Sequence, residues 1–238
     1  MITSNDNEKL KLVRKLGQKK HRRKLGMFVT EGEDLAAAGL EAGHEPVALL
    51  VHPESELPGE KVEPELLDGI ATLASGTRVI GVWPELWGVP ELLSADKCLF
   101  LDGVSDPGNV GTIIRTADAL VGGCVAIGPG TADPFSAIAV RSSMGSVFTQ
   151  PIVRAEIGAP PEPRIALALG GSTAPEPVAG PATLCLGSER EGLSAEVLKE
   201  CGITWTIPQR PGGAQSLNVA AAAAIACERI SSPTGASA

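Results

Sequence analysis

From residue 97 onward, short apolar runs recur with helix-like segments between them. KCLFLDGV, GCVAIG, RIALALG, TLCLG and ITWTIP alternate with predicted helices over 109–121, about 134–144, 191–200 and 216–230. Runs this apolar offer no polar face to water, so they predict strands buried on both sides with the intervening helices as cover. That pattern specifies the α/β class, with a mainly parallel sheet. Hydrophobic residues make up 43% of the 238, enough for a sizeable core. Sheets of this kind bind ligands outside the carboxyl ends of their strands, so the loops that follow the strands are where function is sought.

The first part of the chain reads differently. A helix is predicted over 9–24, a strand at Met27-Phe28-Val29, a helix over 33–42 stopped by Gly43, and a strand over 46–51. TRVIGVW before Pro84 predicts a strand closing this domain, and the Pro- and Gly-containing WPELWGVPELLSAD predicts a linker. Two domains follow, 1–90 and 95–232, with SSPTGASA expected to be a disordered tail. Residues 1–26 hold nine basic and two acidic side chains, whereas the remainder holds 11 basic and 26 acidic ones. A basic segment on an acidic body points to a polyanionic partner. Lys11, Arg14, Lys15, Arg22, Arg23 and Lys24 are its candidate phosphate contacts. No aromatic residue lies among them, so base stacking is not expected there.

Several chemistries are excluded. No apolar run approaches the roughly 18 residues of a membrane span, and the polar, basic start has no apolar core of a secretory signal. A cytoplasmic location is the expectation. The five cysteines form no CxxC pair, which predicts buried thiols in a reducing compartment rather than a zinc site. There is no GxGxxG after a strand, no GxxxxGK[ST] and no GxSxG. His21, His44 and His52 all lie in the first quarter, so the expected catalytic half has no histidine base.

Three loops carry the remaining signal. In LDGVSDPGNVGTIIRTADAL, Asp106-Pro107-Gly108 makes a turn and Asn109 is a candidate helix cap. Val110, Ile113, Ile114 and Ala117 form the core stripe, with Asn109, Thr112 and Arg115 along its flank. A cap and a solvated arginine would account for Asn109 and Arg115 as well as a functional role does. In LCLGSEREGL, Gly187 permits close approach of backbone to a ligand, and Glu189 suits a helix N-terminus. In IPQRPGGAQSLNVAAAAAIACE, Ser216 or Gln215 is the expected cap of an Ala-rich helix that can pack closely on a partner helix or another chain.

Together these loops resemble, in order and spacing, the three motifs of the SpoU (TrmH-like) family of SPOUT RNA methyltransferases. ADPFSAIAVRSSMGSVFTQPI resembles the family's segment between the first two motifs, and the basic start resembles its N-terminal substrate-binding domain. The resemblance implies a C-terminal α/β SPOUT domain with a deep trefoil knot, preceded by a smaller α/β RNA-binding domain, and a homodimer through the C-terminal domain. It implies transfer of a methyl group from S-adenosylmethionine to a ribose 2′-hydroxyl, without a metal. Arg115 is the implied activating residue, with Asn109, Glu189, Ser216 and Asn218 positioning substrate or Arg115. Leu186, Gly187, Ile207, Pro208 and Leu217 are the implied cofactor contacts, and Arg141 joins the RNA-binding set. An N-terminal domain of this type favours ribosomal RNA over transfer RNA as substrate. The competing readings are a transfer-RNA methyltransferase, an inert RNA-binding module, and an unrelated enzyme acting on a small metabolite. Cofactor binding together with RNA methylation separates a methyltransferase from the last two.

Overall fold

A computed structural model describes residues 1–73, 76–94, 96–171 and 173–231. Apart from Ser231, the expected disordered tail lies outside them. The elements run α1 (Glu8–Leu16), α2 (Lys19–Leu25), β1 (Met27–Glu31), α3 (Glu33–Glu41), β2 (Ala48–Val51), β3 (Glu60–Lys61), α4 (Pro64–Asp68), β4 (Val79–Pro84), β5 (Lys97–Asp102) and α5 (Pro107–Leu120). After these come β6 (Cys124–Ile127), α6 (Ala137–Ser143), β7 (Ile152–Arg154), β8 (Arg164–Leu167), β9 (Ala182–Gly187), α7 (Ala195–Glu200), β10 (Ile203–Trp205) and α8 (Val219–Ser231). No helix among the described residues is long and apolar enough to cross a membrane.

The chain divides into two compact units. One comprises residues 1–86 and 133–149, the other 87–132 and 150–238. The sequence pattern had no way to assign 133–149 to the first unit, because a helix between two strands reads as sheet cover wherever it packs.

The first unit is built on a four-stranded sheet in the order β1-β4-β2-β3, antiparallel except for the β2–β3 pair. TRVIGVW forms the expected strand as β4, which lies in the interior of the sheet and is buried over Val79–Trp83. The single helix expected over 9–24 is two helices broken at Gly17. Arg22 explains the break. Its guanidinium donates to the carbonyls of Leu16 (2.9 Å) and Gly17 (3.1 Å), satisfying the end of α1, and pairs with Asp133 at 2.7 Å. Leu10, Val13 and Leu16 on α1 enter the core with Leu50, Ile80 and Val82. α6 packs on β1, and Phe28 meets both Phe135 and Phe148 at ring-centroid distances of 5.1 and 5.8 Å.

The second unit is a six-stranded, wholly parallel sheet ordered β10-β8-β9-β5-β6-β7, as the alternating pattern predicts. β7 went unread because three residues carry no periodicity. The central strands β5 and β9 pair from Lys97↔Ala182 to Asp102↔Gly187, which brings the carboxyl ends of both to one place. The Ala-rich α8 buries Ala220, Ala223, Ala226, Cys227 and Ile230, and it packs on α5 of the same chain. All five cysteines are free thiols, with Cys98 and Cys124 opposite one another on neighbouring strands and their sulfurs 3.2 Å apart. Burial pushes the Cys227 thiol up to about 12, in keeping with an inert core thiol.

Candidate active site

The loops after β5 and β9 and the segment before α8 are joined by a chain of hydrogen bonds. Asp106, not Asn109, caps α5: its carboxylate accepts from the Asn109 N–H at 2.8 Å. This frees the Asn109 side chain, whose amide donates to Glu189 Oε1 at 2.8 Å and whose carbonyl accepts from the Asn218 amide at 3.0 Å. The Asn218 carbonyl in turn accepts from the N–H groups of Ala220 (2.9 Å) and Ala221 (3.2 Å), which makes Asn218 the cap of α8 in place of the expected Ser216 or Gln215. The direction of this relay is fixed by chemistry. An ionised carboxylate only accepts, so Asn109 must turn its NH2 to Glu189 and its carbonyl to Asn218. The helix N–H groups then fix the second amide. Replacing either asparagine by aspartate would set two acceptors face to face.

Glu189 is the anionic end. Its Oε2 accepts from the Ser105 N–H at 3.2 Å and the Ser105 hydroxyl at 3.0 Å, and its Oε1 also takes the Asp106 N–H at 3.3 Å. Burial raises its pKa, but the Asn109 amide, its own backbone N–H and the two Ser105 donors outweigh this and hold the carboxyl below its ordinary range. The sequence placed Glu189 at the start of its own following helix. That helix begins only at Ala195, and Glu189 sits instead against the first turn of α5, where the helix dipole favours the same charge.

The turn that carries Glu189 is closed by its own backbone. Ser188 and Gly192 exchange N–H···O bonds of 2.9 and 3.1 Å, and a Cβ on Gly187 would run into the backbone of Gly192 and Leu193. Gly187 is therefore needed for the turn to fold against its strand, a steric demand that acts beside the ligand approach expected of its bare backbone. Asp102, at the end of β5, accepts from the Ser194 N–H at 2.6 Å and ties the far side of the turn to the central strand.

These loops wall a cavity of about 650 Å³. Of the residues expected at the site, Leu186, Gly187, Glu189, Ile207, Ser216, Leu217 and Asn218 line it, whereas Pro208, Asn109 and Arg115 do not. Sequence reasoning missed Leu167–Leu169 at the end of β8, Leu193, Leu198 and the two glutamines Gln209 and Gln215. The rule that ligands sit at strand ends was the available signal for the β8 residues. Ser105 was also missed, and its place beside the Asp-Pro-Gly turn was the available hint. Arg115 is exposed on α5, and no ion pair engages it among the described residues. Apolar walls with backbone and amide groups at the rim suit a nucleoside bearing an amino-acid tail.

In the first unit the predicted cations separate into kinds. Lys15, Arg23 and Lys24 are exposed. Lys11 faces Glu8 and Asp6, and Arg14 bonds to Asn5. Arg22 is corrected from RNA contact to structural cation, since its side chain is 7% exposed and its donors are consumed within the unit. Arg141 is likewise committed, pairing with Asp34 and bonding to the Glu31 carbonyl.

The sequence profile of the SpoU rRNA Methylase family matches residues 96–228, and that of the MRM3-like substrate binding domain matches residues 7–86. The 23S rRNA (guanosine(2553)-2′-O)-methyltransferase RlmP of Bacillus subtilis is 32% identical over 94% of this chain and 96% of its own. Among solved structures, the AdoMet-bound rRNA methyltransferase of Sinorhizobium meliloti is 33% identical, with a TM-score of 0.83 and 95% of each chain covered. The SpoU methyltransferase AviRb of Streptomyces viridochromogenes is 25% identical, with a TM-score of 0.80 and coverage of 93% of this chain and 95% of its own. With the relay, the cavity and both profiles in agreement, the chain belongs to the SpoU rRNA methylase family.

Proposed function

We propose that this protein methylates a ribose 2′-hydroxyl of ribosomal RNA, with S-adenosylmethionine as the methyl donor. The observation that carries the reading is the Asn218–Asn109–Glu189 relay, which locks three separate loops around one cavity in a chain of this family. RlmP of B. subtilis acts on 23S rRNA, and similarity over nearly the whole of both chains makes large-subunit RNA the first substrate to test.

S-adenosylmethionine supplies an electrophilic methyl on a sulfonium when bound. Leu186, Ile207 and Leu217 would enclose its adenosine, with the loop backbone from 186 to 192 at the rim. The chain's own task is to present the hydroxyl and manage its proton. Arg115 carries a charge that persists at any physiological pH. It therefore orients the 2′-oxygen and stabilises the alkoxide as the proton leaves to water, rather than removing that proton itself. The relay holds the start of α5 against the cofactor loops, so the position of Arg115 along that helix is set relative to the cavity. Holding the two reactants in line supplies most of the rate effect.

We further infer a C-terminal trefoil knot and a homodimer whose interface uses α5 and α8. The exposed Leu120 and Ile225 on these helices support the dimer. The place of action is the cytoplasm, where ribosomal RNA is matured. Incubating the purified protein with unmodified ribosomal RNA and tritiated S-adenosylmethionine, then mapping 2′-O-methyl positions, tests the function. The expected result is one modified nucleotide in large-subunit RNA, and no incorporation into any ribosomal RNA would overturn the reading.

A further inference from the structure

The second unit is acidic, and four of its eight cations are engaged within it. Lys97 bonds to the Gly180 carbonyl, Arg164 is buried against Glu200 and the carbonyls of Gly158 and Pro160, Arg154 lies over Trp87, and Arg229 pairs with Glu228. Arg115, Lys199 and Arg210 are exposed as well, and Arg190 differs from them in its place. It is exposed, has no ion-pair partner among the described residues, and is the one cation among the residues lining the cavity. Two carboxylates flank it, Glu189 and Glu191, and both also line the cavity. No ion pair joins Arg190 to Glu189, whose carboxylate oxygens accept instead from Ser105, Asp106 and Asn109.

We propose that Arg190 holds a phosphodiester of the RNA beside the target ribose, a proposal that rests on the reading of this chain as an RNA methyltransferase. A polyanion approaching this mouth meets two carboxylates on an acidic unit, and Arg190 supplies the compensating charge at the point of entry. Its backbone is set in advance. The Ser188–Gly192 pair closes the turn, and the Ser188 hydroxyl accepts from the Glu191 N–H at 3.1 Å. Arg190 thus rides on a stapled five-residue turn, and little backbone freedom is lost when it binds. A guanidinium also presents paired donors that match two phosphate oxygens. The other anion within reach is the carboxylate of the cofactor's amino-acid tail. Arg190 stands at the solvent-exposed tip of the turn, whereas the apolar wall of Leu186 and Leu193 lies behind it. The tip meets the incoming macromolecule, which favours the phosphodiester.

The test compares wild type, Arg190→Gln and Arg190→Lys. Binding to a large-subunit RNA fragment is measured from low to moderate potassium chloride, S-adenosylmethionine binding by calorimetry, and methyl incorporation under steady state. Arg190→Gln should raise the KM for RNA by roughly five-fold and lower the salt slope of RNA binding by about 0.7 to 0.9. Its affinity for S-adenosylmethionine should stay within about two-fold, a change of the size expected for a remote surface substitution. Arg190→Lys should recover the salt slope, because the charge returns, and only part of the KM. Weakened cofactor binding with unchanged RNA binding would assign Arg190 to the cofactor carboxylate and overturn the proposal. So would a Gln variant indistinguishable from wild type. Failure of the wild type to methylate would sink the functional reading instead, and the salt slope, read from binding alone, would still judge Arg190.

Discussion

The two units hold arginines of the same sequence character in opposite states. In the first unit Arg22 stands in the middle of the basic run LVRKLGQKKHRRKLG, yet it is buried against Asp133 and the end of α1. In the second, Arg115 stands in the middle of an apolar helix, yet it is exposed and unpaired among the described residues. The neighbours in sequence suggest the reverse assignment. What separates the two is what each guanidinium's donors meet: unsatisfied carbonyls and a buried carboxylate in one case, open solvent in the other. A cation whose donors are consumed within the fold builds structure, and one left unsatisfied is available to a substrate.

Exchanging each for alanine should separate them cleanly. Arg115→Ala should lower methyl transfer about a thousand-fold, the scale of removing a charge-stabilising donor from a reacting oxygen. Stability and cofactor affinity should hardly change. Arg115→Lys should also fail, since a compact ammonium does not reproduce the planar fork. Arg22→Ala should do the converse. It leaves Asp133 buried without its partner and two helix-end carbonyls unsatisfied, costing about 3 kcal/mol. Urea unfolding measures the second effect and tritium incorporation the first. An Arg115 variant with normal turnover, or an Arg22 variant with wild-type stability, would break the comparison.

The next effect concerns the exposed cations of the first unit. Truncating residues 1–26 is a poor probe, because Leu10, Val13 and Leu16 belong to the core and the unit would lose its packing with them. Neutralising Lys15, Lys19, Lys20, Arg23 and Lys24 to glutamine leaves the fold untouched. If each meets a phosphate, the salt slope of RNA binding falls by about 3.5 to 4.5. Arg22→Ala at a temperature where it stays folded should leave that slope alone. A slope unaffected by the fivefold change would remove the basic run from the RNA interface.

How far the sequence could be read follows from the same contrast. The parallel sheet was legible because runs such as Cys98–Leu101 and Leu184–Leu186 are apolar without interruption, and two-sided burial suits such strands. The three loops were legible because their polar residues recur at family spacing. The caps were not, since Asp106, Asn109, Ser216 and Asn218 are all competent caps, and only the three-dimensional meeting of loops decides which side chains are released for other bonds. Membership of 133–149 was hidden for a similar reason. Its hydrophobic residues Phe135 and Phe148 read as core, and sequence carries no label saying which core.

Asn218→Ala probes the relay more gently. It removes one amide link and the α8 cap, and the cap loss alone should cost about 1 kcal/mol. Turnover should fall roughly ten-fold, because Asn109 loses the partner that orients it, while Glu189 keeps its Ser105 donors. Asn218→Ser should restore the cap but not the turnover, since a hydroxyl is too short to reach Asn109. Recovery of full activity in the serine variant would show that only the cap mattered.

The smallest effect offers the finest comparison. Asp34 in the first unit and Glu189 in the second both have depressed pKa values, for different reasons. The Arg141 guanidinium is the main cause at Asp34. At Glu189 burial acts the other way and is overcome by neutral donors, the Asn109 amide first among them. A carboxyl whose pKa is lower folded than unfolded adds stability above its unfolded pKa, and that stability is lost as pH falls through the folded value. Both contributions should therefore be intact at neutral pH and disappear below the ordinary carboxylate range. Salt tells them apart. Attraction between partly exposed charges is screened by added ions, whereas an amide or backbone N–H carries no net charge to screen. Following both side-chain carboxyls by NMR titration in low and high salt, the Asp34 pKa should rise towards its ordinary value in high salt and that of Glu189 should stay in place. Equal movement of the two would mean that Glu189 also answers to a cation, and its description as an anion held by neutral donors would have to be abandoned.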